Sequence, residues 1–466
     1  MKANIIKLLM LSLTMTVTLS SCEDYLNEKP KGQNIPETTQ DFYEMLNAEI
    51  NNLHKFYITQ AAYLLNDQRC SPSYLSWYPL YNANYMWDTS IDRAKENDSD
   101  EDVYYYGYAA IAATNVVLDY TPDSKGGSQE FKNEIMAYAK VLRAMHFYQL
   151  TNYYANAYKP ETADKELAIP LILSSQVNAA YKQGTLAEVY KQIVDDVNEA
   201  LPSLGNEGRH ILLPGKTACY AFLARVYLTM MDYANAEKYA DMALQGKSTL
   251  FDWVAYYNEN RTAIKSDGNW AALSTPMDFN YCENYIFKYG NTNSLSLPAW
   301  RLERVEVGDA KFGSMWKYRP GSSYDYLIAF ATGNNNYGGY KTVEQHLIKA
   351  ECLARKGQIT EAMNKLDEVR KTRILPEVYQ KLEASNEGEA LGAIYRTKWN
   401  ELIGSIVPFA DIRRVNAEGK YPYTLTRTRD GQQESLAPDS YLWTMVFPLG
   451  AIENPGGGMI EYIATK

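Results

Sequence analysis

The sequence is poor in the residues that most catalytic signatures need. Its four histidines, His54, His146, His210 and His346, are widely scattered. There is no His-Glu-x-x-His, nucleophile elbow, phosphate loop or Cys-x-x-Cys. Adjacent acids such as Asp195 and Asp196 cannot both face one substrate from a helix. The chain therefore reads as a binding protein rather than an enzyme, with no cofactor and no metal. A basic excess is also missing: 46 Lys and Arg stand against 56 Asp and Glu, a net charge of −10. Nucleic-acid binding needs a concentrated basic face, and this balance argues against it. Apolar runs are short too. The longest, Leu8 to Leu19, falls below the roughly 20 residues that span a bilayer.

That run has another reading. Lys2 and Lys7 precede it, and Leu-Ser-Ser-Cys (residues 19–22) closes it. The pattern fits a secretory leader over residues 1–21 and resembles the bacterial lipobox, which makes Cys22 the expected lipid-bearing first residue of the mature chain. Two or more acyl chains hold a protein on a membrane stably, whereas one does so marginally. Cys70, Cys219, Cys282 and Cys352 remain of the five cysteines. Cys219 and Cys352 sit among alanines in helical patterns and read as small buried hydrophobes. Cys70 and Cys282 lie in loop-like stretches where pairing is open but not demanded by spacing.

What the chain has in quantity is helical period and tyrosine. Two segments, Tyr220 to Leu244 and His346 to Arg370, match at an offset of 126 residues. Each places a small residue (Ala224, Ala350) twelve positions before an alanine in a second helix (Ala236, Ala362). This is the spacing of tetratricopeptide helix pairs, in which small residues let antiparallel helices approach closely. Further helices are expected near 38–53, 131–155 and 185–204, the last opened by Thr185 with Glu188 as a capping box.

Residues 66–100 and 252–340 lack a sustained helical period and are rich in Gly, Asn, Ser, Pro and aromatics. Such long stretches are commonly functional. Forty tyrosines and eight tryptophans are far more than a ligand site needs, so most of them are structural. Two clusters stand out as walls for a ligand. The first is "SYLSWYPLYNANYMWD", Ser73 to Asp88, with Trp77, Tyr78, Tyr81, Asn84, Tyr85 and Trp87. The second spans Trp270, Tyr281, Trp300, Trp316 and Tyr324. Flat rings with interspersed amides and charges suit sugars.

Several stretches carry a family resemblance. They are "CEDYLNEKPKG" (22–32), "AYAKVLRAMHFYQLTNYYANA" (137–157), "IPLIL" (169–173), "GKTACYAFLARVYLTMMDYANAEKYADMAL" (215–244), "EQHLIKAECLARKGQITEAMNKLDEVRKTR" (344–373), "FADIRR" (409–414) and "FPL" (447–449). Together they resemble the SusD/RagB family, surface lipoproteins that partner TonB-dependent transporters in Bacteroidetes. Two departures stand out: Ser405 to Pro408 replace the family's Glu-Gly-x-Arg, and the closing "FPLGAIENP" is short. The resemblance implies a mainly α, SusD-like fold. Tetratricopeptide-type helix pairs would form its body, and long irregular loops would carry the ligand site. It implies one domain over 22–466, with an N-terminal part to about 250 and a C-terminal part from about 251. Glu23 and Asp24 look like the acidic export signal of such lipoproteins, so the chain is expected on the outer membrane, lipid-anchored and facing outward. The expected function is capture of glycans, through Trp77, Tyr81, Asn84, Trp87, Trp270, Trp300 and Trp316, for delivery to a SusC-like TonB-dependent transporter that the protein covers as a lid. The alternatives are the same role for peptides, as in RagB-type members, and a purely structural tetratricopeptide scaffold on the envelope.

Overall fold

Several helices begin where the sequence supplies caps. The computed structural model describes residues 36–52, 54–68, 76–96, 102–176, 181–265, 273–290, 296–319, 326–329 and 333–453. Helix α1 (Thr39–Asn52) opens with Thr38 Oγ1 accepting from the Asp41 amide at 3.1 Å, while Asp41 Oδ2 accepts from the Thr38 amide at 2.9 Å. After α2 (Thr59–Leu65), α3 (Pro79–Met86) and α4 (Asp102–Tyr120), Ser128 caps the long α5 (Gln129–Tyr154). The expected capping box of Thr185 and Glu188 starts α6 (Leu186–Ala200). Each such cap contributes about 1 kcal/mol by satisfying amides that the first helical turn leaves unpaired.

Helix α5 is the axis of the N-terminal part. Every residue from Val141 to Tyr154 is buried, as a helix enclosed on all sides requires. It packs against α4 on one flank and α6 on the other. Arg143 ties the three together, reaching Asp196 of α6 at 2.9 and 2.6 Å and Asn115 of α4 at 2.9 Å.

The repeat is present as read from the sequence. Helices α7 (Lys216–Thr229) and α8 (Tyr233–Gly246) form one antiparallel pair. Further on come α9 (Trp253–Glu259) and α10 (Ala310–Met315), and then α11 (Thr342–Arg355) and α12 (Ile359–Arg370) form the second pair. Ala224, Ala236, Ala240, Ala350 and Ala362 are fully buried. Although 126 residues apart in sequence, the pairs stack directly, α8 on α11, through a shared cluster of Ala224, Leu228, Ala236, Ala240, Ile348 and Cys352. Arg225 of α7 crosses to Glu344 of α11 with two contacts of 2.6 Å and lies 4.1 Å over the Tyr340 ring.

Helices α13 (Glu387–Glu401) and α14 (Val407–Glu418) close the helical body. Within "FADIRR", Arg414 grips Glu351 of α11 at 2.8 and 3.0 Å, and Arg413 donates to the carbonyls of Asn152 and Ala155. Arg355 approaches Glu351 as well, at 2.9 Å, and the two guanidinium groups hold this buried carboxylate well below its usual range.

The stretches expected to be irregular contain short elements. In chain order the strands are β1 (Leu167–Pro170), β2 (Gln183–Thr185), β3 (Asn284–Ile286), β4 (Ser296–Pro298), β5 (Trp316–Arg319), β6 (Tyr326–Ala329), β7 (Tyr340–Lys341), β8 (Leu425–Arg429) and β9 (Gln432–Leu436). They make antiparallel pairs β1–β2, β3–β7 and β8–β9, and a three-stranded sheet in the order β4-β6-β5. In that sheet Ser296 lies opposite Ile328, and Trp316 opposite Ala329. These strands are only two to five residues long, too short for a periodic pattern to reveal. Among the described residues no helix is long and apolar enough to cross a membrane. Cys219, Cys282 and Cys352 are free thiols. Cys22, Cys70, Trp270 and Tyr324 lie outside the described residues, as do the leader and the expected export signal.

Candidate functional site

The first aromatic cluster is organised by α3. Pro79 starts this helix, where its fixed φ suits the first turn and its missing N–H costs nothing. Trp87 ends it in the left-handed region, φ 57°. Positions 81 and 85, four apart, share one face of the helix. Tyr85 is buried against Tyr63 of α2, and Tyr81 packs on the same pair, 5.0 Å from Tyr63. Tyr78 stacks on Tyr81 at 5.4 Å with an interplanar angle of 22°.

Trp300, from the turn Ala299–Arg304, joins the same cluster, 6.3 Å from Tyr85. Two clusters more than 200 residues apart in sequence thus meet on one floor. Trp77, beside Tyr78, stands 80% exposed, and Tyr78 is 45% exposed. Trp300 Nε1 is shielded from solvent and makes no hydrogen bond. An unpaired buried N–H costs about 1–3 kcal/mol.

Arginines hold the floor from beneath. Arg427 lies 3.9 Å under the Trp87 ring and donates to Asn66 Oδ1 at 2.8 Å and to the carbonyls of Tyr85 and Met86. Arg93 donates to Asn84 Oδ1 at 3.1 Å and to the Thr444 carbonyl at 2.9 Å. Arg301, next to Trp300, meets Asp67 at 2.7 Å and Asn400 at 3.0 Å. Planar guanidinium forks bridging several acceptors fix geometry as well as supplying energy. Rings presented on such a support are ordered before a ligand arrives, which lowers the entropy cost of binding.

The expected site residues thus divide. Tyr81 and Trp300 pack on the same Tyr63–Tyr85 pair, and Trp77 stands exposed next to Tyr78. Asn84 does not share that surface: it is fully buried, and its amide is engaged by Gln60 and Arg93. Trp87 is half-buried, spent on Arg427 and on a 2.8 Å bond from Nε1 to the Leu64 carbonyl. Trp316 is buried in a separate cluster with Trp253 and Tyr281 and faces a cavity of about 20 Å³, room for a water but not a sugar ring.

Sequence reasoning missed a larger pocket. A cavity of about 390 Å³ opens beside Arg301, between the Ala299–Arg304 turn, α13 and the start of β8. Its aromatic wall is Tyr395 and Trp399, one helical turn apart on α13 and stacked at 5.3 Å, with Tyr423 edge-on to Trp399 at 4.7 Å. The only signal in the sequence is the four-residue spacing in "YRTKWN" (395–400), which a helix core also produces. Among the described residues no group of three or more His, Cys, Asp or Glu is placed to hold a metal.

With this geometry in view, the likeness to known proteins is informative. Residues 24–228 match the SusD-like family described as "Starch-binding associating with outer membrane". A SusD superfamily protein of Bacteroides thetaiotaomicron superposes with a TM-score of 0.67 at 17% identity, covering 92% of this chain and 100% of the other. A SusD-like carbohydrate binding protein of Bacteroides vulgatus gives 0.63 at 17% identity, with the same coverage of 92% and 100%. Surface glycan-binding protein A of Bacteroides uniformis gives 0.65 at 15% identity, again covering 92% and 100%. No curated protein sequence matches. Residues 24–228 thus resemble the SusD-like family, and the chain as a whole shares the mainly helical SusD-like fold of these structures.

Proposed function

We propose that this protein captures glycans at the cell surface without chemical change, using the aromatic face formed by Trp77, Tyr78, Tyr81 and Trp300. The observation that carries this reading is the meeting of Tyr78, Tyr81 and Trp300 on one arginine-braced floor, with Trp77 exposed beside it. Ring faces stack on the C–H surfaces of pyranoses. The family's description as starch-binding and the glycan-binding fold relatives support the same ligand class.

The remaining parts of the role rest on the family. Cys22 is the lipid attachment point, the protein is held on the outer membrane, and it hands its ligand to a SusC-like TonB-dependent transporter that it covers as a lid. The stacked helix pairs offer the docking surface. Titration of the mature chain, made without its lipid, with pools of oligosaccharides and of peptides tests the ligand class. Glycan binding is expected; binding of peptides alone transfers the role to peptide capture, and binding of neither leaves a structural scaffold. Loss of radiolabelled palmitate from a Cys22→Ala variant tests the anchor.

A further inference from the structure

The pocket beside the aromatic face has an unbalanced charge. Three arginines line it: Arg301, Arg304 and Arg396. Arg301 is neutralised by Asp67 at 2.7 Å. Arg304 is not neutralised in this way. Its guanidinium donates only to the backbone carbonyls of Leu65, at 2.8 Å, and Thr426, at 3.1 Å. Arg396 is exposed on α13 and makes no ion pair among the described residues. The two acids on the lining compensate only in part, leaving one positive charge in excess. Asp67 is already bound to Arg301, and Glu303 is exposed and accepts a 3.5 Å bond from Thr428.

Elsewhere in the molecule buried arginines are treated differently. Arg143, Arg225 and Arg373 each meet a carboxylate at 2.7 Å or less. Arg413 lacks one, but it is fully enclosed and three acceptors fill its fork. Arg304 is only half-buried, faces a cavity and has N–H groups to spare. Burial, helped by the nearby charge of Arg301, pulls its pKa down to about 10. A cation so placed is stabilised by an incoming anion.

The rest of the cavity is shaped for a ring. Tyr395, Trp399 and Tyr423 form an aromatic wall, with Pro408, Ile412 and Leu425 beside it. Its volume of about 390 Å³ lies in the ~300–1,000 Å³ range of small-molecule sites. An apolar wall beside two guanidinium groups that form no ion pair among the described residues, with one positive charge in excess, matches a sugar ring bearing a carboxylate. We propose that this pocket is a second subsite, which seats the carboxylate of a uronic acid unit in the captured glycan against Arg304 and Arg396. The proposal rests on the glycan reading above and narrows it to acidic saccharides.

The test is calorimetric titration of the mature chain with short uronic acid oligomers of several linkages and with the same oligomers methyl-esterified. The acidic forms are expected to bind at least about 10-fold tighter than the esters, as charge-assisted hydrogen bonds imply. Arg396→Ala, at an exposed position, and Arg304→Gln should each remove most of that preference, lowering the acids' affinity far more than the esters'. Equal affinity for acids and esters, or a preference that survives both substitutions, overturns the proposal while the glycan reading stands. Absence of binding to every saccharide overturns both.

Discussion

The stacked helix pairs and the aromatic face are built on opposite principles. The pairs use small residues. Ala224, Ala236, Ala240, Ala350 and Ala362 leave no exposed surface, and close backbone approach does the work of cohesion. The aromatic face uses the largest residues, leaves Trp77 four-fifths exposed, and gains its order from arginines bound to backbone carbonyls and amides beneath it. One region buries everything it has, and the other holds apolar rings in water at a cost. That cost is reasonable only where something else covers the rings.

The contrast is sharpened most strongly by cutting the ion pair inside the repeat body. Glu344→Ala leaves Arg225 buried beside Tyr340 without its carboxylate and should destabilise the chain by about 3–5 kcal/mol. Urea unfolding measures the loss, and saccharide affinity of the still-folded fraction should not change.

A smaller effect comes from the histidines of the helical body. His54 Nδ1 and His146 Nε2 lie 2.8 Å apart in full burial, and burial, aided by Lys288, lowers both pKa values, that of His146 to about 3. These groups stay neutral when folded but protonate at about 6.5 when unfolded. Their stabilisation is complete above pH 6.5 and is lost as pH falls toward 3, by about 2 kcal/mol at pH 5 for His146 alone. Asp309, pushed up to about 7 by burial, acts in the opposite direction over part of this window. The diagnostic quantity is therefore the difference between wild type and His146→Gln in urea midpoint across pH 7 to 5, and wild type should fall more steeply.

The smallest change targets the aromatic face. Trp300→Phe keeps a ring on the Tyr63–Tyr85 floor but removes the unpaired N–H. Saccharide affinity should change by less than about 0.5 kcal/mol, because a ring remains and the removed N–H is shielded from solvent. Stability should hold or rise slightly, because a buried unsatisfied donor is gone.

The same contrast explains what was legible in the sequence. The repeat announces itself through periodic alanines, and the Thr185–Glu188 box marks a helix start within one residue. The helix pairs need only local pattern. The aromatic face is assembled from contacts such as Trp300 on Tyr85 and Arg427 under Trp87, which no period encodes. Aromatic residues in non-periodic stretches marked the segments that supply Tyr78, Tyr81 and Trp300 to this face. They did not separate Trp77, which faces solvent, from Trp87, which caps an arginine, or from Trp316, which fills a core. Nor did α3 show, because eight residues holding two asparagines and a proline look like a loop. The pocket of Tyr395 and Trp399 was hidden for a different reason: a four-residue aromatic spacing on a helix is what ordinary packing also requires.

The central claim is that the exposed rings, and not the helical body, hold the glycan. Calorimetric titration of wild type and Trp77→Ala with the same neutral oligosaccharide, alongside thermal unfolding of both, tests it most directly. Trp77 is 80% exposed, so its removal should move stability by no more than about 0.5 kcal/mol. The account predicts an affinity lowered about 10-fold or more at that unchanged stability. Equal affinity in the two proteins would contradict it.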